Sequence, residues 1–208
     1  MLYLTTVEPN TFSLLEELML VPELKDFALV GGTALSLLYG HRLSEDLDLF
    51  STTPFENSIV VEGLKKIFGK RFVVEEKPPR FGIFCFIDGV KVDIVHHPHP
   101  LLNPTTKIDG ISMFSVEDII AMKVQAVLGR GKKKDFWDIA ELLQHYTVDD
   151  FIRCHEEKYR NQNLLITVPQ AISYFQDAEE SEDPISLKKQ TWDSVKKFIS
   201  KKVSEYLK

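Results

Sequence analysis

The sequence has few cysteines, no long apolar run and no recognisable leader. Its two cysteines, Cys85 and Cys154, are too few for a disulfide framework among 208 residues, and no CxxC pair indicates structural zinc. This usage favours a reducing compartment. No segment approaches the roughly 20 apolar residues of a membrane span, and the first residues, MLYLTTVEPN, lack the pattern of a signal peptide. We therefore expect a soluble, cytoplasmic protein without a membrane partner.

An excess of positive charge is also missing. Lysine and arginine number 25 against 31 aspartates and glutamates, which gives a formal net charge of −6. This balance argues against a generally basic nucleic-acid binder, although local basic segments could still serve that role. The 44% hydrophobic and 27% charged residues are typical of a folded globular chain. The length fits one large domain or two small ones.

The spacing of apolar residues changes along the chain. Helices are predicted over residues 11–20, 33–39, 56–68, 116–128, 134–145, 148–159, 169–176 and 186–207, and strands over 27–30, 46–49, 72–75, 81–87 and 90–95, with a short extended piece near 108–113. The dipeptide Asp88-Gly89 favours a tight hairpin between two of the strands. We predict an α/β (α+β) core over residues 1–110 and a helical C-terminal part over residues 111–208.

The segment 27–50, FALVGGTALSLLYGHRLSEDLDLF, is the most informative. A strand ends in Gly31 and Gly32, and a helix begins at once. Glycines let the backbone approach a phosphate closely, and a helix start offers free N–H groups and positive partial charge. Thr33 can add a hydroxyl donor. A strand-to-helix turn needs glycine in any case, so this part alone is weak evidence for a phosphate site.

Three carboxylates give the pattern more weight. Asp46 and Asp48 are two residues apart on a predicted strand, so their side chains project to the same side. Adjacent carboxylates repel each other unless they face solvent or hold a cation. Beside a phosphate turn that cation would be Mg²⁺. Asp93 of the strand VKVDIV would complete the set if its strand pairs beside the first, although a strand Asp near a hairpin is often only solvated.

These residues carry a family resemblance. The run GGTALSLLYGHRLSEDLDLF resembles motif I of the DNA polymerase β-type nucleotidyltransferase superfamily and, more narrowly, the AbiEii/AbiGii abortive-infection toxin family. The signature is Gly-Ser, a spacer of about ten or more residues, then two acids one residue apart. Here Gly32-Thr33 precedes Asp46-Leu47-Asp48, so Thr replaces Ser and keeps the hydroxyl. The resemblance implies a polymerase β-type core with a small mixed sheet, closed by the helical part.

A second block, DIIAMKVQAVLGRGKKKDFWDIAELL, resembles the helical motifs of the same family. The family's lysine falls on Lys123 and its acids on Asp135 and Asp138. Spacing independently puts Lys123 on the apolar face of its helix, where an unpaired ammonium is costly. Lys123 must therefore extend to solvent or meet an anion, either a triphosphate or one of the two acids. Arg130 opens the basic run RGKKK, which could contact triphosphate or RNA, or could simply be solvated.

The resemblance implies a nucleotidyltransferase that uses a nucleoside triphosphate and one or two Mg²⁺ ions. It also implies that the protein is the toxin component of a toxin–antitoxin or abortive-infection system. Asp46, Asp48 and Asp93 are the expected metal ligands and, with Lys123, the catalytic set. The expected nucleotide-binding residues are Gly31, Gly32, Thr33, Arg42, Ser44, Arg130, Asp135 and Asp138. Expected partners are an RNA acceptor such as tRNA and a cognate antitoxin.

Some alternatives stay open at this point. Arg42 follows a helix end, where the dipole favours cations, and it could instead pair with Asp46 or a phosphate. The same motif I logic fits an antibiotic-type enzyme that modifies a small molecule. It also fits a non-catalytic module that binds nucleotide or a partner. The spacing of His96, His97 and His99 in a proline-rich segment without an acid partner argues against a metal site there.

Overall fold

The structure is a computed structural model that describes residues 1–74, 80–129 and 131–208. The predicted nucleotide contact Arg130, and the last residue of the strand predicted over 72–75, lie outside the described residues. The helices are α1 Pro9–Met19, α2 Gly31–Tyr39, α3 Asn57–Phe68, α4 Val116–Gly129, α5 Lys133–Leu142, α6 Val148–Lys158, α7 Val168–Ile172 and α8 Trp192–Tyr206. The strands are β1 Ala28–Val30, β2 Leu47–Ser51, β3 Phe72–Val74, β4 Gly82–Ile87, β5 Val90–His96, β6 Thr106–Ile108 and β7 Ile111–Met113.

The strands form one mixed sheet in the order β3-β4-β5-β2-β1-β7-β6. Strands β2 and β5 run parallel, as do β1 and β7, and the other neighbours are antiparallel. This arrangement confirms the predicted α/β class and its mixed sheet. Strand β7 pairs with β1, so the sheet continues just past residue 110. The division into two domains stays a prediction.

Two hairpins follow from local turn chemistry. The turn between β4 and β5 has positive φ at Asp88 (53°) and Gly89 (80°), as the sequence predicts. The extended piece predicted near 108–113 is a second hairpin, β6–β7, and it turns at Asp109 (φ 49°) and Gly110 (φ 87°). The first hairpin sets the register of β5 and therefore the side on which Asp93 projects.

The helix predicted over 186–207 begins later, at Trp192, so its first six residues are a wrong prediction. Residues 185–187 instead run extended beside the segment that follows α2. The Leu43 amide donates to the Ile185 carbonyl at 2.9 Å, and the Leu187 amide donates to the His41 carbonyl at 2.9 Å. Thr191 then caps α8 by accepting from the Ser194 amide. Backbone pairing thus outweighs the helical spacing in this segment.

The core joins the sheet to the helices. Helix α2 contacts both α4 and α5, and α5 packs against α8. On α8 the predicted apolar stripe is buried at Trp192, Val195, Ile199 and Val203, whereas Tyr206 is exposed. Cys85 and Cys154 are buried free thiols, in agreement with the absence of a disulfide framework. Within the described ranges, no helix combines the length and apolar character needed to cross a membrane.

Candidate active site

Two glycines bring the start of α2 close to two charged side chains. Gly31 has a φ of +73°, and a Cβ added there would lie 2.5 Å from Asp48 Oδ2. A Cβ on Gly32 would lie 2.1 Å from Arg42 Nη2. A side chain at either position would therefore force Asp48 or Arg42 to move, and at Gly31 the positive φ also favours glycine. The sequence predicts close approach of a phosphate here, and the structure adds the close approach of Asp48 and Arg42.

Hydroxyl groups hold the loop before β2 against α2. Thr33 Oγ1 donates to the Asp46 carbonyl, and its oxygen lies 2.8 Å from Ser44 Oγ. Since the single Thr33 proton is directed to the carbonyl, Ser44 donates to Thr33. A phosphate contact of the Thr33 hydroxyl stays a prediction; in this structure the hydroxyl fixes the segment that carries Asp46.

Two of the three predicted carboxylates lie side by side on parallel strands. Asp48 of β2 is in register with Asp93 of β5, and Asp46 directly precedes β2. Burial, followed by the negative charge of Asp93, raises the pKa of Asp48 above its usual range. Asp93 Oδ1 is buried and has no hydrogen-bond partner among the described residues. The pairing of strands that the sequence argument required is therefore present.

This arrangement fits a divalent cation. Repulsion between Asp48 and Asp93 and the unpartnered Asp93 oxygen are both relieved by a bound cation, and carboxylates are ligands that Mg²⁺ prefers. The described residues contain no ready-made cluster of three or more metal-ligating side chains. Instead, Asp93 and Asp46 each form an ion pair with a lysine. Lys91 Nζ lies 2.6 Å from Asp93 Oδ2, and Lys134 Nζ lies 3.3 Å from Asp46 Oδ2.

A buried ion network faces the carboxylates. Lys123 Nζ lies 2.9 Å from Asp135 Oδ1 and 2.6 Å from Asp138 Oδ2. Arg42 donates to both oxygens of Asp138, from Nε at 2.7 Å and from Nη2 at 2.9 Å. His41 Nε2 lies 2.7 Å from Asp138 Oδ1. The anion predicted for Lys123 is therefore supplied by the protein itself, at both acids.

The charges of this network stabilise one another. Burial alone would lower the pKa of Lys123, but the nearby Asp138 and Asp135 outweigh it and raise that pKa. Burial alone would raise the pKa of Asp138, but Arg42 and Lys123 hold it well below its usual range. Lys123 and Arg42 thus stay positive and Asp138 stays negative at neutral pH.

Most of the predicted residues converge on one cavity of about 390 Å³. Asp138 does not line it, because its side chain is fully buried behind Arg42 and Lys123. A nucleotide contact of Asp138 stays a prediction; in this structure its carboxylate binds Arg42 and Lys123 and holds them in position. The predicted residues that line the cavity are Gly31, Gly32, Thr33, Arg42, Ser44, Asp46, Asp48, Asp93, Lys123 and Asp135.

Sequence reasoning missed several lining residues. The sequence indicates Lys134 only as part of a basic run, yet its ammonium forms an ion pair with the Asp46 carboxylate. His97, Gln125 and Tyr159 also line the cavity. The position of His97 just beyond the end of β5 could have indicated it, since β5 carries Asp93. Tyr159 comes from the end of α6, and no local pattern links it to this site.

The fold is similar to that of solved nucleotidyltransferases. A candidate nucleotidyltransferase from H. pylori has a similar fold, with a TM-score of 0.58 and 18% identity over 97% of this chain and 99% of its own. MenT4, a nucleotidyltransferase toxin from Mycobacterium tuberculosis, has a TM-score of 0.56 and 15% identity over 95% of this chain and 86% of its own. These likenesses establish the fold that the sequence predicts.

Sequence comparison identifies the family. Residues 13–205 match the family described as nucleotidyl transferase AbiEii toxin, type IV toxin–antitoxin system. An uncharacterized protein of Aquifex aeolicus is 35% identical over 189 residues, which is 88% of either chain. The chain belongs to the AbiEii nucleotidyltransferase toxin family, as its motifs predicted. It is a nucleotidyltransferase toxin of a type IV system, a class that implies an antitoxin partner.

Proposed function

We propose that this enzyme transfers a nucleotidyl group from a nucleoside triphosphate to a hydroxyl group of an RNA acceptor, with tRNA as the first candidate. The observation that carries the proposal is that the carboxylates of Asp48 and Asp93 and the cations Arg42 and Lys123 line the same cavity. Carboxylates for a metal and cations for a polyphosphate are the two charge requirements of this reaction.

The metal ligands would be Asp46, Asp48 and Asp93. One or two Mg²⁺ ions held there would neutralise phosphate charge and favour ionisation of the acceptor hydroxyl. Lys91 and Lys134 are the cations to be displaced from these acids, and their side chains, 43% and 39% exposed, can turn toward solvent. Asp46 and Asp93 would then each exchange an ion pair with lysine for coordination of the metal.

The protein's own groups would position the triphosphate. The N–H groups at the start of α2 and the side chains of Arg42 and Lys123 would bind its phosphates. Because Asp138 fixes both cations, little reorganisation would accompany binding, and such preorganised charge supplies much of an enzyme's rate. Ser44 and Asp135 border the same space and are proposed nucleotide contacts.

The chemical step is a displacement at the α-phosphorus. The acceptor oxygen forms the new bond to phosphorus, the bond between the α-phosphorus and the bridging oxygen breaks, and pyrophosphate leaves. Asp93 is the proposed acceptor of the hydroxyl proton. Alignment of the reacting atoms, rather than a covalent enzyme intermediate, would provide the catalysis.

Labelling tests the proposal. Purified protein is incubated with each α-labelled nucleoside triphosphate and Mg²⁺, together with total tRNA, total protein or a small-molecule pool that includes aminoglycosides. We expect label in the tRNA fraction, and loss of labelling with Asp48→Asn or with a chelator. Label in the small-molecule fraction alone would overturn the RNA acceptor. Calorimetric binding of Mg²⁺ and nucleotide without any transfer would instead indicate a binding module.

A further inference from the structure

A second cavity, of about 770 Å³, adjoins the catalytic one and is here called the side cavity. Its walls are residues 97–100, which follow β5, and residues 158–162 at the end of α6, together with Gln125 of α4. His97, Gln125 and Tyr159 line both cavities. The two cavities therefore meet at these three residues.

The charge of the side cavity selects for an anionic ligand. Among the described residues that line it there is no carboxylate, whereas Lys158 and Arg160 are both basic. Lys158 is buried and bound to Asp118 at 2.6 Å and to the Pro100 carbonyl at 2.9 Å, so it holds the wall in place. Arg160 is exposed; its Nε donates to the Glu157 carbonyl at 3.1 Å, and its other guanidinium N–H groups can meet an anion at the rim. A polycationic acceptor such as an aminoglycoside does not match this lining.

The same cavity offers flat rings and amides. The His99 and Tyr159 rings lie 4.5 Å apart between centroids, and the His97 ring lies 5.0 Å from that of His99. The Gln125 Oε1 atom lies 3.2 Å from His155 Nε2, so the Gln125 amide N–H groups remain as donors where the two cavities meet. Stacking on rings and hydrogen bonding to amides are how proteins hold unpaired nucleobases.

His97 adds a further indication. Its Nε2 atom is buried and has no hydrogen-bond partner in the part of the chain that the structure describes. A buried polar atom without a partner is costly, and this one lies in the wall between the two cavities. A base or ribose bound beside His97 would supply the missing partner.

We propose that the side cavity binds the terminal nucleobase of the acceptor strand and thereby presents the terminal hydroxyl to Asp93. This inference rests on the proposed function. The acceptor is favoured over the incoming nucleotide because the side cavity shares no lining residue with the phosphate seat at Gly31, Gly32 and Thr33. It lies instead next to the strand end that carries Asp93, the proposed proton acceptor.

Binding measurements test the inference directly. Fluorescence anisotropy with labelled single-stranded hexaribonucleotides of each base compares the wild type with the double variant His99→Ala, Arg160→Gln. We expect the variant to raise the Kd roughly tenfold, since it removes one stacking surface and one cation. The Kd of Mg²⁺-nucleotide, measured by calorimetry, should stay within about twofold.

A matched control is available on α6, the helix that ends just before Arg160. Arg153 is exposed and lines neither cavity, so Arg153→Gln removes the same charge and should leave hexamer binding unchanged. Equal weakening by Arg153→Gln, or no hexamer binding by the folded wild type, would overturn the proposal. A loss of nucleotide affinity without a loss of hexamer affinity would assign the cavity to the incoming base and overturn it too.

The two proposals can fail separately. Asp48→Asn should abolish label transfer and still bind the hexamers, because Asp48 does not line the side cavity. A wild type that transfers no label would refute the proposed function, while the anisotropy comparison would still report on the side cavity. Hexamer binding that the double variant leaves intact would refute only the side cavity, provided that labelled tRNA is formed.

Discussion

The Lys123 ammonium lies 2.6 Å from the Asp138 carboxylate, and the two side chains are only 8% and 0% exposed. The same carboxylate binds Arg42 through two hydrogen bonds. One buried anion thus holds two cations that face the catalytic cavity. Such a network is stable only while every charge keeps its partner, so its integrity links the helical part of the protein to the phosphate seat.

Replacing Asp138 should therefore destabilise the whole protein. Asp138→Asn leaves the charges of Arg42 and Lys123 less compensated in a buried setting, and loss of one partner in such a network costs about 3–5 kcal/mol. We expect the free energy of unfolding, measured in urea at pH 7.5, to fall by about that amount.

An exposed ion pair provides the control for Asp138. Asp183 pairs with Lys133 at 2.8 Å, but its side chain is 55% exposed. Asp183→Asn should cost less than about 1 kcal/mol, because solvent screens such pairs. If the two variants unfold at the same urea concentration, the network does not contribute as the geometry indicates.

Gly32→Ala tests the close approach at the start of α2. Its Cβ would lie 2.1 Å from Arg42 Nη2, so the guanidinium would have to move away from its place beside the phosphate seat. We expect the rate of nucleotidyl transfer to fall roughly tenfold to a hundredfold, the usual cost of a small misplacement of a positioning group.

A second glycine variant separates this effect from a general loss of glycine. Gly129, at the end of α4, has nothing within 4 Å of an added Cβ. Gly129→Ala should keep wild-type activity and folding. Activity in Gly32→Ala equal to that in Gly129→Ala would mean that Arg42 tolerates the added methyl group without effect on the site.

Local sequence patterns predict well the part of the site that is formed by β5 and by the turn before α2. The Asp88-Gly89 turn fixes the β4–β5 hairpin, and strand alternation then decides which side chains of β5 share a face with Asp93. The glycine turn before α2 is equally local. These features depend on residues that are near neighbours along the chain, so composition and spacing suffice to predict them.

The other side of the site depends on contacts that are distant in sequence. Arg42 and Asp138 are 96 positions apart, and neither residue type indicates the other as its partner. Residues 186 and 187 lie within the helix predicted over 186–207, but they pair with the segment after α2 instead. Tertiary hydrogen bonds outweigh local propensity there, and one sequence does not reveal such long-range pairing.

Magnesium should stabilise the wild type through Asp48. A cation that binds only the folded protein raises the free energy of unfolding, by about 2.7 kcal/mol at one hundred times its Kd. Asp48→Asn should lose this gain. Without metal it should be at least as stable as the wild type, because burial and the charge of Asp93 disfavour the Asp48 carboxylate.

Thermal unfolding with Mg²⁺ and with a chelator measures both effects. Asp183→Asn serves again as the control, since Asp183 does not line the catalytic cavity, and its melting temperature should rise with Mg²⁺ as in the wild type. An equal rise in Asp48→Asn would contradict the assignment of Asp48 as a metal ligand.

His97 should make the stability depend on pH. Burial, followed by the positive charge of Lys158, lowers its pKa from 6.5 to about 3. Between these values the unfolded chain binds a proton that the folded protein does not, so stability falls as the pH drops below about 6.5. The contribution of His97 to the change in stability between pH 7.5 and pH 5 is about 2 kcal/mol.

His97→Gln removes this contribution. The difference in the free energy of unfolding between wild type and variant, measured in urea, should therefore change by about 2 kcal/mol between the two pH values. His145→Gln, at a ring that is 46% exposed, should retain the wild-type slope. A His97→Gln slope equal to that of the wild type would show that the buried ring does not resist protonation.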